Sequence, residues 1–445
     1  MLLLAVAVAV AVAFADSSIV VLALPELYAR FDTTIVGVAW VITSFNLIVA
    51  VAAIVLLLAV HRTRPRTLLT AGSLLFLAAS IGCALAGSLP VLVAARSVQG
   101  LGAALLLVGA LPVLGDLAGS RSRGAAIWTT AGTFGAAVGP ALGGVLTQAF
   151  DWRAIFVAQA PLAAAALLAS LGTRSETARG DDARSSLRRS IPPNLGLGIV
   201  FGALVGALFL GVLLVIDVFG RAPIAGAAIV SLIPLGAVVA RPVATGLPSW
   251  ASVAGGAVLL GAGLLALALL PSESLAYALP SFALCGFGLG LCVPRLTEAA
   301  LAGDGDVGAR ATFTVGARHL GLVLALAIVA PALARDLVVA ADVAKLNGAA
   351  VVIDAPIDGT TKIPLALDIR DALDRAPKGA LPDFTPVFDQ HGAAKDPALR
   401  LVQADLDTSI TEAATRAFRR SFLFCALLAA LAPFAMVLWR RRVWA

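Results

Sequence analysis

The sequence predicts an all-α polytopic membrane protein with twelve transmembrane helices in two six-helix bundles, and three observations support this prediction. Hydrophobic residues make up 60% of the chain and charged residues only 13%, about half the charged share of a soluble domain. Apolar runs recur along almost the whole chain, and each approaches the ~20 residues that a helix needs to cross a bilayer. A polar, arginine-rich segment at 173–194 divides these runs into six and six.

The twelve predicted spans follow one another with short connections, except for the segment 173–194 after the sixth span and the longer segment 335–417 after the eleventh. The first run carries Asp16 and has neither a basic leader nor a small-residue cleavage site, so we interpret it as a retained helix and not as a signal peptide. The predicted spans are 1–24, 34–58, 67–87, 90–114, 124–148, 154–172, 195–218, 223–246, 250–270, 275–296, 309–334 and 418–439.

The distribution of arginine predicts the orientation of these spans. Arginines cluster in the connections after spans 2, 4 and 6 and after span 12, and Arg310 lies on the same side at the start of span 11. Because cytoplasmic loops are enriched in basic residues, this side is predicted to be cytoplasmic, with both termini on it, in a prokaryotic inner membrane. The net charge of +6 is thereby explained by topology, so the lipid bilayer and not a nucleic acid is the predicted partner.

No pattern in the sequence indicates an enzyme. The four cysteines, Cys83, Cys285, Cys292 and Cys425, lie within apolar runs, where cysteine behaves as a small packing residue. Neither a disulfide nor a metal site is therefore predicted. A phosphate-binding loop of the Walker type and a hydrolase nucleophile motif are both missing. The prediction is a non-enzyme without a cofactor.

The charge pattern predicts five regions: an N-terminal bundle at 1–172, a cytoplasmic linker at 173–194, spans 7–11 at 195–334, an external acidic module at 335–417, and the last span with a basic tail at 418–445. Residues 336–418 contain all four lysines, yet thirteen acidic residues outnumber eight basic ones. The module is predicted to sit on two protruding helices. A disordered acidic loop is the alternative.

Local patterns give expectations for the module's structure. The first helix is expected to end at Asn347-Gly348, because glycine terminates helices. A short strand is expected at 350–353 and a short helix at 365–375. Leu399, Val402, Leu406 and Ile410 recur at helical spacing ahead of the last span.

Five motifs of the first half occur in a fixed order. Asp16 precedes an apolar run into Ala23-Leu24-Pro25, and further motifs follow at 40–44, 96–102, 132–144 and 152–156. In this order they resemble the drug:proton antiporter branch of the major facilitator superfamily. Weaker resemblances follow in the second half at 225–235, 286–294 and 318–321.

The resemblance implies proton-coupled export of small molecules by alternating access between two halves, energised by the proton gradient. It assigns proton coupling to Asp16 and Arg96, and less directly to Arg318 and His319. Alternatives remain open for each: a helix-packing hydrogen bond for Asp16, a tie to a backbone carbonyl for Arg96, and a position near the cytoplasmic interface for His319. An ionisable residue within a span costs a few kcal/mol unless it is paired or hydrated.

The glycine-rich stretch of span 5 presents small residues on one helical face, which allows a second helix to approach closely. The resemblance identifies it as the antiporter motif and implies that it packs span 5 against the other half. Its residues are Gly132, Gly135, Gly139, Pro140, Gly143 and Gly144.

Polar residues that could line a cavity are sparse, which favours apolar or amphipathic cargo over sugars. They are Ser17, Ser18, Thr43, Asn46, Gln99, Thr129, Thr130, Thr133 and Gln159.

The cytoplasmic gate departs from the family pattern. The 2–3 connection at 59–66 keeps its basic residues but lacks the expected aspartate, and the 8–9 connection at 245–250 has neither charge. The predicted gate residues are Arg62, Arg66, Asp116 and Arg123. Asp217, at the end of span 7, is expected to pair with Arg221.

Two functions are carried forward from the sequence. The first is proton-coupled export of apolar or amphipathic compounds such as drugs or lipid-like metabolites. The second is a non-transporting scaffold or receptor whose module at 335–417 holds a periplasmic or extracellular protein partner.

Overall fold

A computed structural model describes residues 1–59, 63–173, 183–302, 307–375 and 383–443. Every regular element in these ranges is helical. Eleven of the helices are long and apolar enough to cross a membrane. The predicted fifth span is a helix of 29 residues, Arg121–Ala149, which is rich in glycine and threonine and is not among those eleven. With it, the described helices number twelve long segments in the predicted order.

Short loops connect the helices of the first six spans. Gly119 takes a positive φ of 73° between spans 4 and 5, and the Ser120 hydroxyl accepts a hydrogen bond from the Arg123 amide to cap the next helix. Span 1 is Leu2–Arg30, and it includes a 3₁₀ turn at Val20–Ala23. Spans 2–6 are the helices Ile35–Ala59, Pro65–Ala84, Leu89–Leu117, Arg121–Ala149 and Arg153–Leu171.

The second half also consists of six helical spans, and spans 7 and 11 extend beyond their predicted bounds. Spans 8 and 9 are Pro223–Gly246, in which a turn at Ser231 separates two helices, and Ser249–Ala268. Spans 10, 11 and 12 are Leu275–Leu301, Val307–Asp354 and Arg419–Val443.

Span 7 begins at Ala183 and not at the predicted residue 195. Its first helix runs to Val205, and two π-helical segments, Gly206–Leu210 and Leu214–Val218, continue it. Residues 183–194 are therefore helix and not linker, while 174–182 lie outside the described residues. The predicted boundary was wrong because hydropathy marks where a helix enters lipid, whereas a helix can extend beyond the bilayer through polar residues.

Span 11 is a helix of 48 residues, about 72 Å long, which far exceeds the ~30 Å of a hydrocarbon core. The expected stop at Asn347-Gly348 and the expected strand at 350–353 are both wrong. Gly348 packs directly against the Leu406 side chain, and Ala344, Gly348 and Val352 are buried at a helical spacing. Packing against a neighbouring helix thus outweighs the low helix propensity of asparagine, glycine and valine.

The protruding end of span 11 belongs to a folded helical module. Three helices complete it: Gly359–Arg375, which includes the expected helix, Thr385–Gln390, and Pro397–Ala417. They enclose an apolar core, so the described part of the module is ordered and not the disordered alternative. The largest side chains of this core are Leu365, Ile369, Phe384, Phe388, Leu399, Leu406 and Ile410.

We call the end of the bundle that bears the module the module end. There, apolar side chains from both halves merge into one core, which includes Leu22 and Trp152 of the first half and Leu214, Phe219 and Val230 of the second. A second core lies within the first half towards the opposite end and takes in Ala311 and Val315 of span 11. The two halves therefore pack tightly together at the module end.

Candidate functional site

Asp16, Arg96, Gln99 and Gln159 form a closed ring of hydrogen bonds between spans 1, 4 and 6. Arg96 Nη1 lies 2.5 Å from Asp16 Oδ2 and 2.6 Å from Gln99 Oε1. Gln99 Nε2 donates to Gln159 Oε1 over 2.8 Å, and Gln159 Nε2 donates to Asp16 Oδ1 over 2.8 Å. All four side chains are buried. Arg96 and Gln99 can share the ring because residues three apart lie on one helical face.

The ring fits an ionised Asp16. Both carboxylate oxygens accept hydrogen bonds, one from a guanidinium and one from an amide, so a proton on either oxygen would displace a donor. Arg96 is also fixed by its Nε, which donates to the Val41 carbonyl over 3.0 Å, and its guanidinium lies 4.4 Å from the Phe45 ring centre. Arg96 is therefore held both by the ion pair with Asp16 and by the tie to a backbone carbonyl that was the alternative to a role in proton coupling.

A second polar cluster joins the two halves. Asn46 of span 2 donates from Nδ2 to its own helix at Ile42, so its oxygen is left to accept. That oxygen lies 3.0 Å from the Ser17 hydroxyl and 2.6 Å from His319 Nδ1 of span 11. Because an amide oxygen only accepts, His319 Nδ1 carries the hydrogen and donates a hydrogen bond to Asn46 Oδ1. The buried His319 lies between the halves and not at the interface with the cytoplasm.

A cavity of about 150 Å³ lies between the two halves. Spans 1, 2 and 5 line it on one side and spans 7, 8, 10 and 11 on the other. Leu208 and Phe209 reach it from a π-helical segment of span 7, and such segments often occur at functional sites. Apolar side chains dominate the wall. Its polar residues are Ser17, Ser18, Thr133, Arg241, Arg318 and His319.

The predicted cavity-lining set is only partly brought together. Ser17, Ser18 and Thr133 line the cavity. Gln99 and Gln159 belong to the buried ring, Thr43 and Asn46 are buried, Thr129 is half-buried and Thr130 is exposed. These six are absent from the described lining. Their helical faces could not be assigned because the sequence does not reveal which neighbour each helix contacts.

Several residues that line the cavity were not predicted from the sequence, and the most important of these are aromatic or cationic. Phe14, Phe201 and Arg241 line the wall, as do residues of spans 8 and 10. Phe201 had no distinguishing signal. Arg241 had one, since an arginine within an apolar span is a functional candidate by default.

The glycine face of span 5 packs mainly against span 1 of its own half and not against the other half. A Cβ at Gly132, Gly135, Gly139 or Gly143 would overlap atoms of Phe14, Ala11, Ser18 or Ile19 respectively. Only Gly144 faces the second half, where a Cβ would overlap Ala227 of span 8. Pro140 lines the cavity. The implied packing of the whole motif across the halves is therefore wrong for four of its five glycines.

Three of the four predicted gate residues, Arg66, Asp116 and Arg123, lie at the opposite end from the module. Arg66 donates from Nη2 to the Leu171 carbonyl over 2.8 Å, which ties span 3 to span 6. Asp116 and Arg123 are exposed on either side of the 4–5 turn. Arg62 lies outside the described residues, so the structure does not place its side chain.

Arg295 of span 10 supplies a contact that the sequence had not indicated. Its guanidinium donates to the carbonyls of Ala244 and Leu247 at the end of span 8 and pairs with Glu298 at 3.0 Å. The 8–9 connection lacks charges of its own, but span 10 provides them. The spacing of Arg295 and Glu298, three apart on one face, was the available signal.

Arg221 pairs with Glu273 in the 9–10 connection. The expected ion pair between Asp217 and Arg221 is wrong, because Arg221 reaches across to another loop and not back along span 7.

Comparison with known proteins agrees with this architecture. The sequence profile of the Major Facilitator Superfamily matches residues 6–335. The "Multidrug resistance protein Stp" of Mycobacterium tuberculosis (strain ATCC 25618 / H37Rv) is 35% identical over 161 residues, which cover 36% of this chain and 30% of that protein. The "Methylenomycin A resistance protein" of Bacillus subtilis (strain 168) is 29% identical over 208 residues, which cover 42% of this chain and 44% of that protein. These matches span less than half the length of either relative.

Solved structures share the fold over most of the chain. A bacterial homologue of the human lysosomal transporter Spinster, in an inward-facing and occupied conformation, has a TM-score of 0.64 and 17% identity, covering 99% of this chain and 96% of that one. A D-xylose-proton symporter has a TM-score of 0.59 and 14% identity, covering 73% and 88%. The chain is therefore a multi-pass membrane protein that belongs to the Major Facilitator Superfamily.

Proposed function

We propose that this protein exports apolar or amphipathic small molecules across a prokaryotic inner membrane in exchange for protons, by alternating access between its halves. The observation that supports the proposal best is the buried ring around Asp16. The drug-efflux relatives support export, and the cavity between the halves favours transport over the scaffold alternative.

Span 1 links the ring to the cavity. Asp16 faces the ring, whereas Phe14, Ser17 and Ser18 of the same helix line the cavity. A proton on Asp16 removes the charge that holds Arg96 and displaces one hydrogen-bond donor. Span 1 is then free to move relative to spans 4 and 6, and the cavity wall moves with it. Alternating access of this kind is a movement of one bundle against the other around a central site.

The composition of the cavity supports the cargo class. Leucine, isoleucine, valine and phenylalanine side chains cover most of the wall, and few hydroxyl groups are present to replace the water around a sugar. At about 150 Å³ the cavity is below the ~300–1,000 Å³ typical of drug-sized sites. The halves must therefore move apart to admit a large compound.

The test is efflux of a lipophilic dye from vesicles that contain the full-length protein, with and without an imposed pH gradient. Asp16→Asn keeps the size of the side chain and removes the charge. We expect efflux in the presence of the gradient to fall to the level seen without it, because asparagine cannot take up and release a proton. Asp389→Asn, on the exposed surface of the module, is the matched control. Efflux that ignores the gradient, or that Asp16→Asn leaves unchanged, would overturn proton coupling.

A further inference from the structure

Arg318 is a buried cation in the cavity wall without a counter-ion. Its side chain is 92% buried, as the exposed fraction is 8%. Within the described residues it takes part in no hydrogen bond or ion pair, and its buried Nε has no acceptor. Its guanidinium instead lies 5.2 Å from the ring centre of Phe14 and 4.5 Å from that of Phe201. Stacking on aromatic rings recovers only part of the hydration that a buried guanidinium loses.

The rest of the cavity wall adds positive charge and no negative charge. Arg241 of span 8 lines the same cavity, and the described lining contains neither aspartate nor glutamate. His319 donates to Asn46 and supplies no negative charge. Asp16 is turned away and is already paired with Arg96. The cavity is therefore an apolar chamber with uncompensated cationic groups.

We infer that Arg318 is an anion-binding subsite within the transport cavity, and that the preferred cargo is an amphipathic organic anion. This inference rests on the proposed transport function and names its substrate class. A carboxylate or sulfonate of the cargo accepts hydrogen bonds from the guanidinium, whose planar donors match such groups. The flanking Phe14 and Phe201, with the leucine side chains beyond them, accommodate the apolar body.

Charge also gives selectivity against other compounds. A lipophilic cation would bring a second positive charge into an apolar cavity beside Arg318 and Arg241, which is unfavourable. A neutral compound of the same shape would gain the apolar contacts but would leave the guanidinium without a partner. The expected order of affinity is therefore anion, then neutral compound, then cation.

The experiment measures equilibrium binding to the purified full-length protein in a neutral maltoside detergent. Three fluorescent probes share one aromatic body: pyrenebutanoate, pyrenebutanol and a pyrenebutyl trialkylammonium. We expect the parent to bind the anion roughly tenfold to a hundredfold more tightly than the alcohol, the factor that a hydrogen bond to a charged group gives. Arg318→Met removes the charge at similar size and should bring the anion to the level of the alcohol.

Two further variants keep the test decisive. Arg318→Lys retains the charge without the planar donors and should keep part of the anion preference, which distinguishes charge from mere folding. Arg335→Met, on the exposed continuation of the same helix, should leave all three affinities unchanged. Equal binding of the three probes by the parent, or an anion preference that survives in Arg318→Met, would overturn the inference.

The outcomes separate this inference from the transport proposal. Anion binding that depends on Arg318, with no gradient-driven efflux, would sustain the subsite and overturn proton-coupled export. Gradient-driven efflux of pyrenebutanol with no preference for the anion would do the reverse.

Discussion

Gln159 and Gln99 show how single residues determine the candidate site. Each glutamine uses both ends of its amide: Gln159 donates to Asp16 and accepts from Gln99, and Gln99 accepts from Arg96. Gln99 Nε2 also lies 2.9 Å from the Ser80 hydroxyl. A buried charged pair is tolerated when its remaining donors and acceptors are satisfied, and the two glutamines fulfil most of that requirement. Both are thus expected to act on Asp16 and Arg96 and not directly on cargo.

The first prediction concerns Gln159→Met, which keeps the size of the side chain and removes both amide contacts. Asp16 Oδ1 then loses its donor, and one donor of Gln99 loses its acceptor. We expect the free energy of unfolding to fall by about 1–3 kcal/mol, the cost of a buried polar group left without a partner. The measurement is unfolding of the full-length protein in a denaturing-detergent titration.

The control for that experiment is Thr130→Val, at an exposed position of the neighbouring span 5, which should change stability by no more than about 0.5 kcal/mol. If Gln159→Met were as stable as the parent, the ring would be a coincidence of geometry and not a satisfied network.

At the scale of helices, the close contact of span 5 with span 1 is the feature that the glycines explain. Backbone atoms of span 1 lie where a side chain on Gly135 would begin, since its Cβ would overlap the Ala11 carbonyl. The contact is therefore backbone against backbone, as small residues permit in membrane helices. Because Asp16 is on the same span 1, the packing of span 5 fixes one side of the helix whose other side holds the ring.

The second prediction compares two glycines of the bundle. Gly135→Ala adds one methyl group into the span 1 backbone, so spans 1 and 5 must separate. We expect a loss of about 1–3 kcal/mol in unfolding free energy, typical of overpacking, together with reduced dye efflux.

Gly255→Ala is the matched change, because nothing lies within 4 Å of the Cβ position at Gly255 in span 9. It should leave both stability and efflux close to those of the parent. Equal behaviour of the two variants would show that the glycines of span 5 are not required for close packing.

At the scale of the whole molecule, charge asymmetry and the module predict orientation. The acidic excess of the sequence lies in residues 336–418, while most of the arginine clusters lie in the connections predicted to be cytoplasmic. The positive-inside rule therefore predicts that the module lies outside the cell. The four cysteines of the chain are buried, so the background of their reaction with a thiol-labelling reagent should be low.

The third prediction uses that background. Leu346→Cys, at a side chain 73% exposed on the module, should react with a membrane-impermeant maleimide in intact cells. Ser122→Cys, exposed in the 4–5 turn, should react only after the membrane is permeabilised. The reverse pattern would invert the predicted topology, and labelling of both in intact cells would indicate that the opposite end is open to the exterior.

The sequence by itself determined the class of the protein, the number and order of the spans, and the identity of the key charged pair. These properties depend on local composition, because each polar residue of a membrane helix contributes its own free-energy cost of transfer into lipid. Asp16 and Arg96 were identifiable because ionisable residues within apolar spans are rare.

Only the tertiary structure decided which residues meet. Gln99 and Gln159 were expected in the cavity and lie in the ring. The five glycines of the span 5 motif were expected at the other half, and four of them pack on span 1. Phe201 and Arg241 line the cavity although the sequence analysis did not predict it. In a membrane helix nearly every face is apolar, so periodicity does not indicate which side meets a neighbour. The continuation of the helix through Asn347-Gly348 was also decided by tertiary contact. Leu406, about sixty residues away along the chain, packs against Gly348 and keeps the segment helical despite its low helix propensity.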